Sequence, residues 1–176
     1  SIVICTYNGA AFLKPQLDSL RSQTRLPDEI VIRDDGSTDA TLDILTAFAA
    51  QARDAGITVR MQRNPENLGY VENFSAGLRQ AGGDVLFLCD QDDVWHPDKL
   101  ARMTAYFDDD PQLLLLHSDA RLVDEHGASL QWSVVDALQL TPQEKHAIHA
   151  RRAFEVVLRR SFVTGAASSV TIFMMI

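Results

Sequence analysis

The sequence has few cysteines, no long apolar run and no excess of basic residues. Only two cysteines occur, Cys5 and Cys89, each inside an apolar segment, so we expect no disulfide framework and a reducing cytosolic environment. No run of about 18 apolar residues is present, and the first residues carry no charged segment followed by an apolar core, so we expect neither a membrane span nor a secretion signal. The net charge of −8 disfavours a nucleic-acid partner, because a phosphate backbone requires a basic surface.

The composition that remains is that of one globular domain. The chain has 176 residues, of which 46% are hydrophobic and 23% charged, and this is enough to bury a sizeable core. Short apolar runs rich in β-branched residues alternate with segments of helical periodicity along most of the chain. This alternation predicts the α/β class, with a mostly parallel sheet and helices on both of its faces.

The periodicity also places the elements. The predicted strands span residues 1–5, 29–33, 57–62, 84–88 and 113–117, with a further strand pair in 120–135 that turns at 125–127. The predicted helices span 39–55, 70–81, 97–107 and 141–160, and another surrounds Leu17 with Pro15 in its first turn. Residues 170–176 are apolar without a cap, turn or charge, and we expect them to be an exposed tail of an interrupted domain.

Acidic side chains are concentrated where two of the predicted strands end. Asp90, Asp92 and Asp93 follow one apolar strand, and Asp34 and Asp35 follow another. Carboxylates at this density repel one another unless a cation lies among them, and hard oxygen ligands suit Mg²⁺ or Mn²⁺. The Asp-x-Asp pair of Asp90 and Asp92 therefore predicts a divalent cation that carries a diphosphate.

Three polar segments, residues 6–8, 34–37 and 90–93, each follow a strand of the same predicted sheet. Because the carboxyl ends of parallel strands lie at one edge, these segments can build a single site. Right-handed crossovers place the second and third strands on one side of the first, and the fourth strand returns on the other side. The ligand crevice is therefore expected between Thr6 and Asp90.

Six motifs occur in order within residues 1–133. They are 4–8, 16–20 with 23–24, 32–39, 67–70 with Asn73, 82–84, and 90–95 with Pro97. With the motifs in this order, the chain resembles the family 2 glycosyltransferases. These are inverting enzymes that use nucleotide sugars and have the GT-A fold, which is Rossmann-like. The segment 90–95 together with 117–120 is similar to a branch that contains bacterial rhamnosyltransferases of surface polysaccharide assembly.

The resemblance implies a nucleoside pocket. Thr6 and Tyr7 would line it together with Asn8 of the same segment, and the ring of Tyr7 would lie against the base. The carboxylate of Asp35 would accept the N3–H of uracil or thymine, and Asp34 would shape the same loop. The implied donor is thus a UDP- or dTDP-linked sugar, with dTDP-rhamnose as one candidate.

The resemblance also implies a metal site. Asp90 would lie near the ribose or the metal, and Asp92 would coordinate the Mn²⁺ or Mg²⁺ ion that bridges both phosphates. A diphosphate brings about two to three negative charges into a pocket of carboxylates, and a divalent ion removes this conflict while it stabilises the leaving group.

The general base is not visible. Inverting transfer needs a group that takes the proton of the acceptor hydroxyl, and in the family this is a carboxylate past the segment that residues 163–166 resemble. No Asp, Glu or His follows Thr164, so we expect the base beyond Ile176, with Asp119 as the alternative within the chain. Residues 1–133 would then form the donor-binding part and 134–176 the start of the acceptor-side part. The chain by itself would bind nucleotide and transfer little or no sugar to a saccharide or lipid-linked acceptor.

Other functions and locations stay open at this point. A nucleotide-sugar-binding module would keep the fold without turnover. A phosphoacceptor receiver also binds Mg²⁺ at an acidic strand end, but it requires a late strand-end lysine, and no lysine follows Lys145. The basic residues of the predicted helix 141–160 allow peripheral contact with the inner face of the cytoplasmic membrane, although a solvated helix face is the default.

Overall fold

The computed structural model describes residues 1–124, 127–150, 156 and 172–175, which fall into two compact units. Unit 1 comprises Ser1–Leu116 with Phe173–Ile176, and unit 2 comprises His117–Ile172. The predicted boundary between the donor-binding part and the acceptor-side part, after residue 133, differs from the boundary between these two units, and it stays a prediction. The elements in chain order are β1 (Ile2–Thr6), α1 (Ala10–Arg21), β2 (Glu29–Asp34), α2 (Thr41–Asp54), β3 (Thr58–Arg63), α3 (Tyr70–Leu78), β4 (Val85–Cys89), α4 (Lys99–Asp109), β5 (Leu115–His117), β6 (Arg121–Val123), β7 (Ser129–Ser133), α5 (Val134–Ala137), α6 (Pro142–His149) and β8 (Ile172–Met175).

Strand β1 lies at the centre of the parallel part of the sheet, in the order β3-β2-β1-β4. Its residue Ile4 is paired with Ile32 of β2 on one side and with Cys89 of β4 on the other. All residues of β1 and β2 are buried, as expected for parallel strands covered on both faces. The strand order reverses beside β1, so the predicted switch point is confirmed, and this order differs from the 2-1-3-4-5 order of receiver-type folds.

Helices cover both faces of this sheet, as the alternation of strands and helices predicted. On one face α1, α2 and α4 contribute Leu17, Leu45 and Met103 to the larger core. On the other face Val3 of β1 packs with Phe74 of α3 in a smaller core. The α/β fold class is therefore confirmed, with the strands packed between helices on both faces of the sheet.

Helix α1 begins earlier than predicted. It starts at Ala10, so Pro15 lies inside the helix and not in its first turn. The reason is tertiary, because the first backbone N–H groups of the helix start donate to side chains from elsewhere in the chain. The N–H of Gly9 donates to Thr41 Oγ1 at 2.9 Å, and that of Ala10 donates to Asp39 Oδ2 at 3.1 Å.

The predicted strand pair of unit 2 is confirmed as the antiparallel strands β6 and β7. Glu125 and His126 of its predicted turn lie outside the described residues. Helix α6 begins with a capping box of Thr141 and Glu144, and it ends at His149, before the end of the predicted helix 141–160. The continuation of that helix, except Val156, also lies outside the described residues. No helix in the described ranges is long and apolar enough to cross a lipid bilayer.

The apolar run 170–176 was expected to be an exposed tail, but its described residues, 172–175, are paired in the sheet. Its residues Ile172–Met175 form β8, which pairs antiparallel with β4 and places Met174 opposite Leu86. The sheet continues from β8 to β5 and so has six strands. Because β8 is antiparallel to β4, the sheet as a whole is mixed. For residues 172–175 the expectation of a free tail is wrong, because the local sequence pattern carries no sign of a backbone partner that is distant in the chain. Residues 170, 171 and 176 lie outside the described residues.

Gly77 lies where α3 crosses β1, and a side chain there would overpack the smaller core. A Cβ at Gly77 would lie 2.5 Å from Cγ1 of Val3 and 3.3 Å from Cγ of Arg33. We expect Gly77→Ala to lower the free energy of unfolding by about 1–2 kcal/mol even after its gain in helix propensity. Urea denaturation measures this loss.

The control is Gly82→Ala, where the added Cβ would meet only Glu29 Oε2 at 3.8 Å. Its stability should match that of the wild type. A Gly77→Ala variant as stable as Gly82→Ala would contradict the tight packing of α3 on β1.

Candidate functional site

Three loops meet at the carboxyl ends of β1, β2 and β4 in unit 1. We call them the β1 loop (residues 7–9), the β2 loop (residues 35–40) and the β4 loop (residues 90–98). The N–H of Tyr7 donates to Gln91 of the β4 loop at 2.9 Å, and the N–H of Asn8 donates to Ser37 of the β2 loop at 2.9 Å. The β1 loop is therefore held from both sides, which places the predicted site residues of all three loops in one region.

Asn8 shapes the β1 loop through its backbone and its side chain. Its φ of 48° lies in the left-handed region, which asparagine tolerates better than most residues. Its Oδ1 accepts a hydrogen bond from the N–H of Thr38 at 2.8 Å, and its own N–H is bonded to Ser37. In this structure Asn8 joins the β1 and β2 loops.

Asp34 is fully buried at the end of β2. Its carboxylate accepts hydrogen bonds from Thr6 Oγ1 at 3.1 Å and from both the N–H and the hydroxyl of Ser37. Nε of Arg63 lies 3.7 Å from Asp34 Oδ2. A buried carboxylate needs such donors because they replace lost hydration, so Asp34 joins the end of β1 to the β2 loop.

Asp35 is also buried, at 3% exposure, and its carboxylate orders the segment that leads into α3. Oδ1 accepts from Asn64 Nδ2 at 2.7 Å and from the N–H of Leu68 at 2.9 Å, while Oδ2 accepts from the N–H of Gly69 at 2.9 Å. A carboxylate oxygen can accept two hydrogen bonds, so Oδ2 retains capacity for one further donor. The predicted contact of Asp35 with a nucleobase therefore concerns Oδ2, and it stays a prediction.

Sequence reasoning missed the buried polar network behind Asp35. Asn64 accepts a hydrogen bond from the Arg33 guanidinium and donates to Asn73 Oδ1 at 2.9 Å. Asn73 donates in turn to the carbonyl of Arg33 at 3.1 Å. Among the described residues Arg33 forms no ion pair, and its buried Nε has no hydrogen-bond partner. The available signal was a basic residue inside an otherwise apolar strand.

Gln91 is the second functional candidate that sequence reasoning left without a role. Its Oε1 accepts from the N–H of Tyr7, and its Nε2 donates to the carbonyl of Tyr7 at 3.2 Å. The Gln91 side chain thus forms hydrogen bonds with both the backbone N–H and the backbone carbonyl of Tyr7. Tyr7 itself is 48% exposed, so its ring has a face available for a flat ligand.

The carboxylates of the β4 loop lie close enough to affect one another. Burial, together with the charges of Asp90 and Asp92, raises the pKa of Asp93 to about 7, and the charge of Lys99 opposes this rise. Burial also lowers the pKa of Lys99 to about 8, and its Nζ lies 4.3 Å from the centre of the Trp95 ring. Negative charge is therefore concentrated at the end of β4.

This donor set fits a divalent cation that arrives with its own ligands. Among the residues that the structure describes, no three His, Cys, Asp or Glu side chains form a closed metal cage. Mg²⁺ characteristically uses one or two carboxylates together with water and substrate phosphate oxygens. Asp90 and Asp92 offer two such carboxylates from one short loop, and their charges contribute to the raised pKa of Asp93 in the same loop.

Asp119, the candidate base within the chain, belongs to unit 2. Its Oδ1 accepts hydrogen bonds from the N–H of Ala120 at 2.8 Å and of Val135 at 3.1 Å. It lines a cleft of about 640 Å³ together with Trp132 and Asp136. In the described structure Asp119 fixes the start of α5, and a catalytic role for it stays a prediction.

Comparison with known proteins gives a family match over most of the chain. The model of Glycosyl transferase family 2 matches residues 1–164. An uncharacterized glycosyltransferase of Nostoc sp. is 38% identical over 117 residues, which cover 66% of this chain and 35% of that protein. The segments that carry the site therefore lie inside the matched region.

Solved structures give the same result for the fold. A mannosyltransferase from Pyrobaculum calidifontis in complex with GDP-Man and Mn²⁺ superposes with a TM-score of 0.58 and 26% identity, over 65% of this chain and 33% of that one. S. aureus TarS 1–349 in complex with UDP superposes with a TM-score of 0.54 and 28% identity, over 61% and 31%. The chain thus spans about a third of the length of these relatives.

The raised pKa of Asp93 predicts a pH-dependent loss of stability. Its folded pKa of about 7 lies above the unfolded value of 3.8, so the folded state binds more protons between these values. The contribution is fully present below the unfolded pKa and is lost as the pH rises through the folded pKa. In metal-free buffer, the wild type should lose about 1 kcal/mol or more relative to Asp93→Asn between pH 5 and pH 8.

Urea unfolding of both proteins at the two pH values measures this difference. Asp108→Asn, which changes an exposed carboxylate of α4, is the matched control and should follow the wild type. Parallel pH profiles for the wild type and Asp93→Asn would rule out a buried, titrating Asp93.

Proposed function

This chain belongs to glycosyl transferase family 2, and on that premise we propose that unit 1 binds a UDP- or dTDP-linked sugar whose glycosyl group the whole protein transfers with inversion. The observation that carries the proposal is the meeting of three loops at the switch point of the sheet. There the exposed ring of Tyr7, the carboxylate of Asp35 and the acidic β4 loop belong to one connected region. Ligands of open α/β sheets bind in this crevice.

The nucleoside would be held by the β1 and β2 loops. The ring of Tyr7 would lie against the base, above the buried Thr6, while Oδ2 of Asp35 would accept the N3–H of a uracil or thymine. TarS, which was solved with UDP, supports a uridine nucleotide, whereas the mannosyltransferase was solved with GDP-Man. Because the nucleotides in these two structures differ in their base, we propose that contacts such as that of Asp35 with the base select the nucleotide.

The diphosphate would lie toward the β4 loop. Asp92 and Asp90 would hold a Mn²⁺ or Mg²⁺ ion there, and the Mn²⁺ in the mannosyltransferase complex supports a divalent ion. When bound, such an ion neutralises diphosphate charge and stabilises the leaving group. The bound ion would also offset the electrostatic repulsion between Asp93 and the carboxylates of Asp90 and Asp92.

For the acceptor we propose a saccharide or a lipid-linked acceptor of bacterial surface polysaccharide synthesis. One candidate donor is dTDP-rhamnose. The support is the resemblance carried by residues 90–95 and 117–120. Such chemistry would take place in the cytoplasm, including the inner face of the membrane. The base would come from a part of the whole protein outside this chain, which spans about a third of the length of its relatives, with Asp119 as the alternative within the chain.

The metal assignment predicts that Asp92→Asn weakens UDP binding by more than about tenfold in the presence of Mn²⁺, because a charged ligand is removed. Titration calorimetry with UDP, with and without Mn²⁺, measures the effect. The wild type should bind UDP poorly without the ion. Asp109→Asn, in the exposed end of α4, is the control. Equal affinities of the wild type and Asp92→Asn in saturating Mn²⁺ would refute the assignment.

Base selection by Asp35 predicts that the protein prefers UDP or dTDP to CDP. Cytosine presents an acceptor at N3, which would leave the carboxylate without a donor and cost affinity. Competition against a labelled UDP measures the preference, with GDP as the purine comparison. Displacement of UDP by an equal concentration of CDP would contradict this role.

A further inference from the structure

We propose that Gln91 is a positioning residue that couples the cation site to the nucleobase platform. A divalent cation on Asp90 and Asp92 would then raise the affinity for a nucleoside that has no phosphate and never touches the cation. This inference rests on the proposed function and adds to it a direct connection through the protein between the two halves of the donor site.

The connection starts from the place of Gln91 in the chain. It lies between the two proposed cation ligands, in the turn that follows β4. Its side-chain amide reaches across to the β1 loop and forms two hydrogen bonds with the backbone of Tyr7, at 2.9 Å and 3.2 Å. A shift of the backbone between Asp90 and Asp92 is therefore transmitted to the residue that carries the aromatic ring.

The position of the Gln91 amide depends on the absence of a side chain at Gly9. A Cβ at Gly9 would lie 2.3 Å from Oε1 and 2.6 Å from Cδ of Gln91. These distances are too short for any real contact, so a side chain at this position would force the amide away from Tyr7. The glycine and the glutamine thus form the two sides of one contact, and each can be changed without changing the other.

The rest of the β1 loop is anchored independently of Gln91. Asn8 is bonded to Ser37 and Thr38, and Gly9 is bonded to Thr41, all from the side of β2. In the described part of the chain, both hydrogen bonds of the Tyr7 backbone go to Gln91. Loss of the Gln91 contact should therefore loosen Tyr7 while leaving the β2 side of the site in place.

The direction of the coupling follows from ordering. Carboxylates that share a cation fix the β4 loop, and a fixed loop holds Gln91 and with it Tyr7. A base that stacks on a ring already held in place loses less conformational entropy on binding. Linkage requires the reverse effect as well, so the nucleoside should tighten cation binding by the same factor.

The test uses uridine and Mg²⁺, because uridine has no phosphate and Mg²⁺ is diamagnetic. The dissociation constant of uridine is measured by NMR titration with and without Mg²⁺, and the backbone amide signal of Tyr7 is followed during a Mg²⁺ titration without nucleoside. In the wild type, Mg²⁺ should tighten uridine binding by about fivefold, the lower end of common coupling factors, and should shift the Tyr7 signal.

Gln91→Ala and Gly9→Ala should each remove the effect of Mg²⁺ on uridine and on the Tyr7 signal. Circular dichroism checks that both variants fold, and two variants on opposite sides of the contact guard against a single misfolded protein. Gln80→Ala is the matched control, since the Gln80 amide makes an exposed hydrogen bond of 2.9 Å to Gln62 in another part of unit 1. It should behave as the wild type.

The outcomes separate this inference from the proposed function. If UDP binding requires Mg²⁺ but uridine binding in the wild type is indifferent to it, the coupling is refuted and the donor site stands. Retention of the full Mg²⁺ effect in both folded variants also refutes it. If the wild type binds neither UDP nor uridine with or without Mg²⁺, the proposed function fails and the coupling fails with it.

Discussion

The buried carboxylate of Asp34 is the interaction on which the geometry of the site depends. Because it has no access to water, its charge must be met by donors of the protein, and these come from Thr6 at the end of β1 and from Ser37 in the β2 loop. Ser37 in turn accepts the N–H of Asn8. One desolvated carboxylate therefore ties two of the three loops together, at the carboxyl end of the parallel ladder that joins β1 to β2.

The two sides of the crevice are built differently. Toward β2, buried side chains satisfy one another, and Asn64 links Asp35 to Arg33 and Asn73, so this side is set before any ligand binds. Toward β4, the loop carries mutually repelling carboxylates, and its side-chain contact with the β1 loop is the exposed amide of Gln91. One side of the site is held by internal hydrogen bonds and the other carries mutually repelling carboxylates, which accords with the proposed ligand, a nucleotide that brings a cation with it.

Most elements of unit 1 could be predicted because their information is local. The apolar runs around Val3, Val31 and Phe87 form strands as expected, and the alternation with helices predicted a parallel sheet with its polar loops at one edge. Where prediction failed, the deciding partner was distant. Pro15 lies inside α1 because Thr41 and Asp39 bond the chain before it, and residues 172–175 form a strand because β4 lies beside them.

By itself, the sequence determined the fold class, the family resemblance and the residue types of the site, since periodicity and motif order are properties of neighbouring residues. The tertiary structure alone decided which of these polar groups are already bonded within the protein. Asp34 and Asp35 read alike in the sequence, yet each carboxylate is held by its own set of donors from segments far along the chain. The reason is physical: a hydrogen bond between distant residues depends on the packing that brings them together, and no local pattern records it.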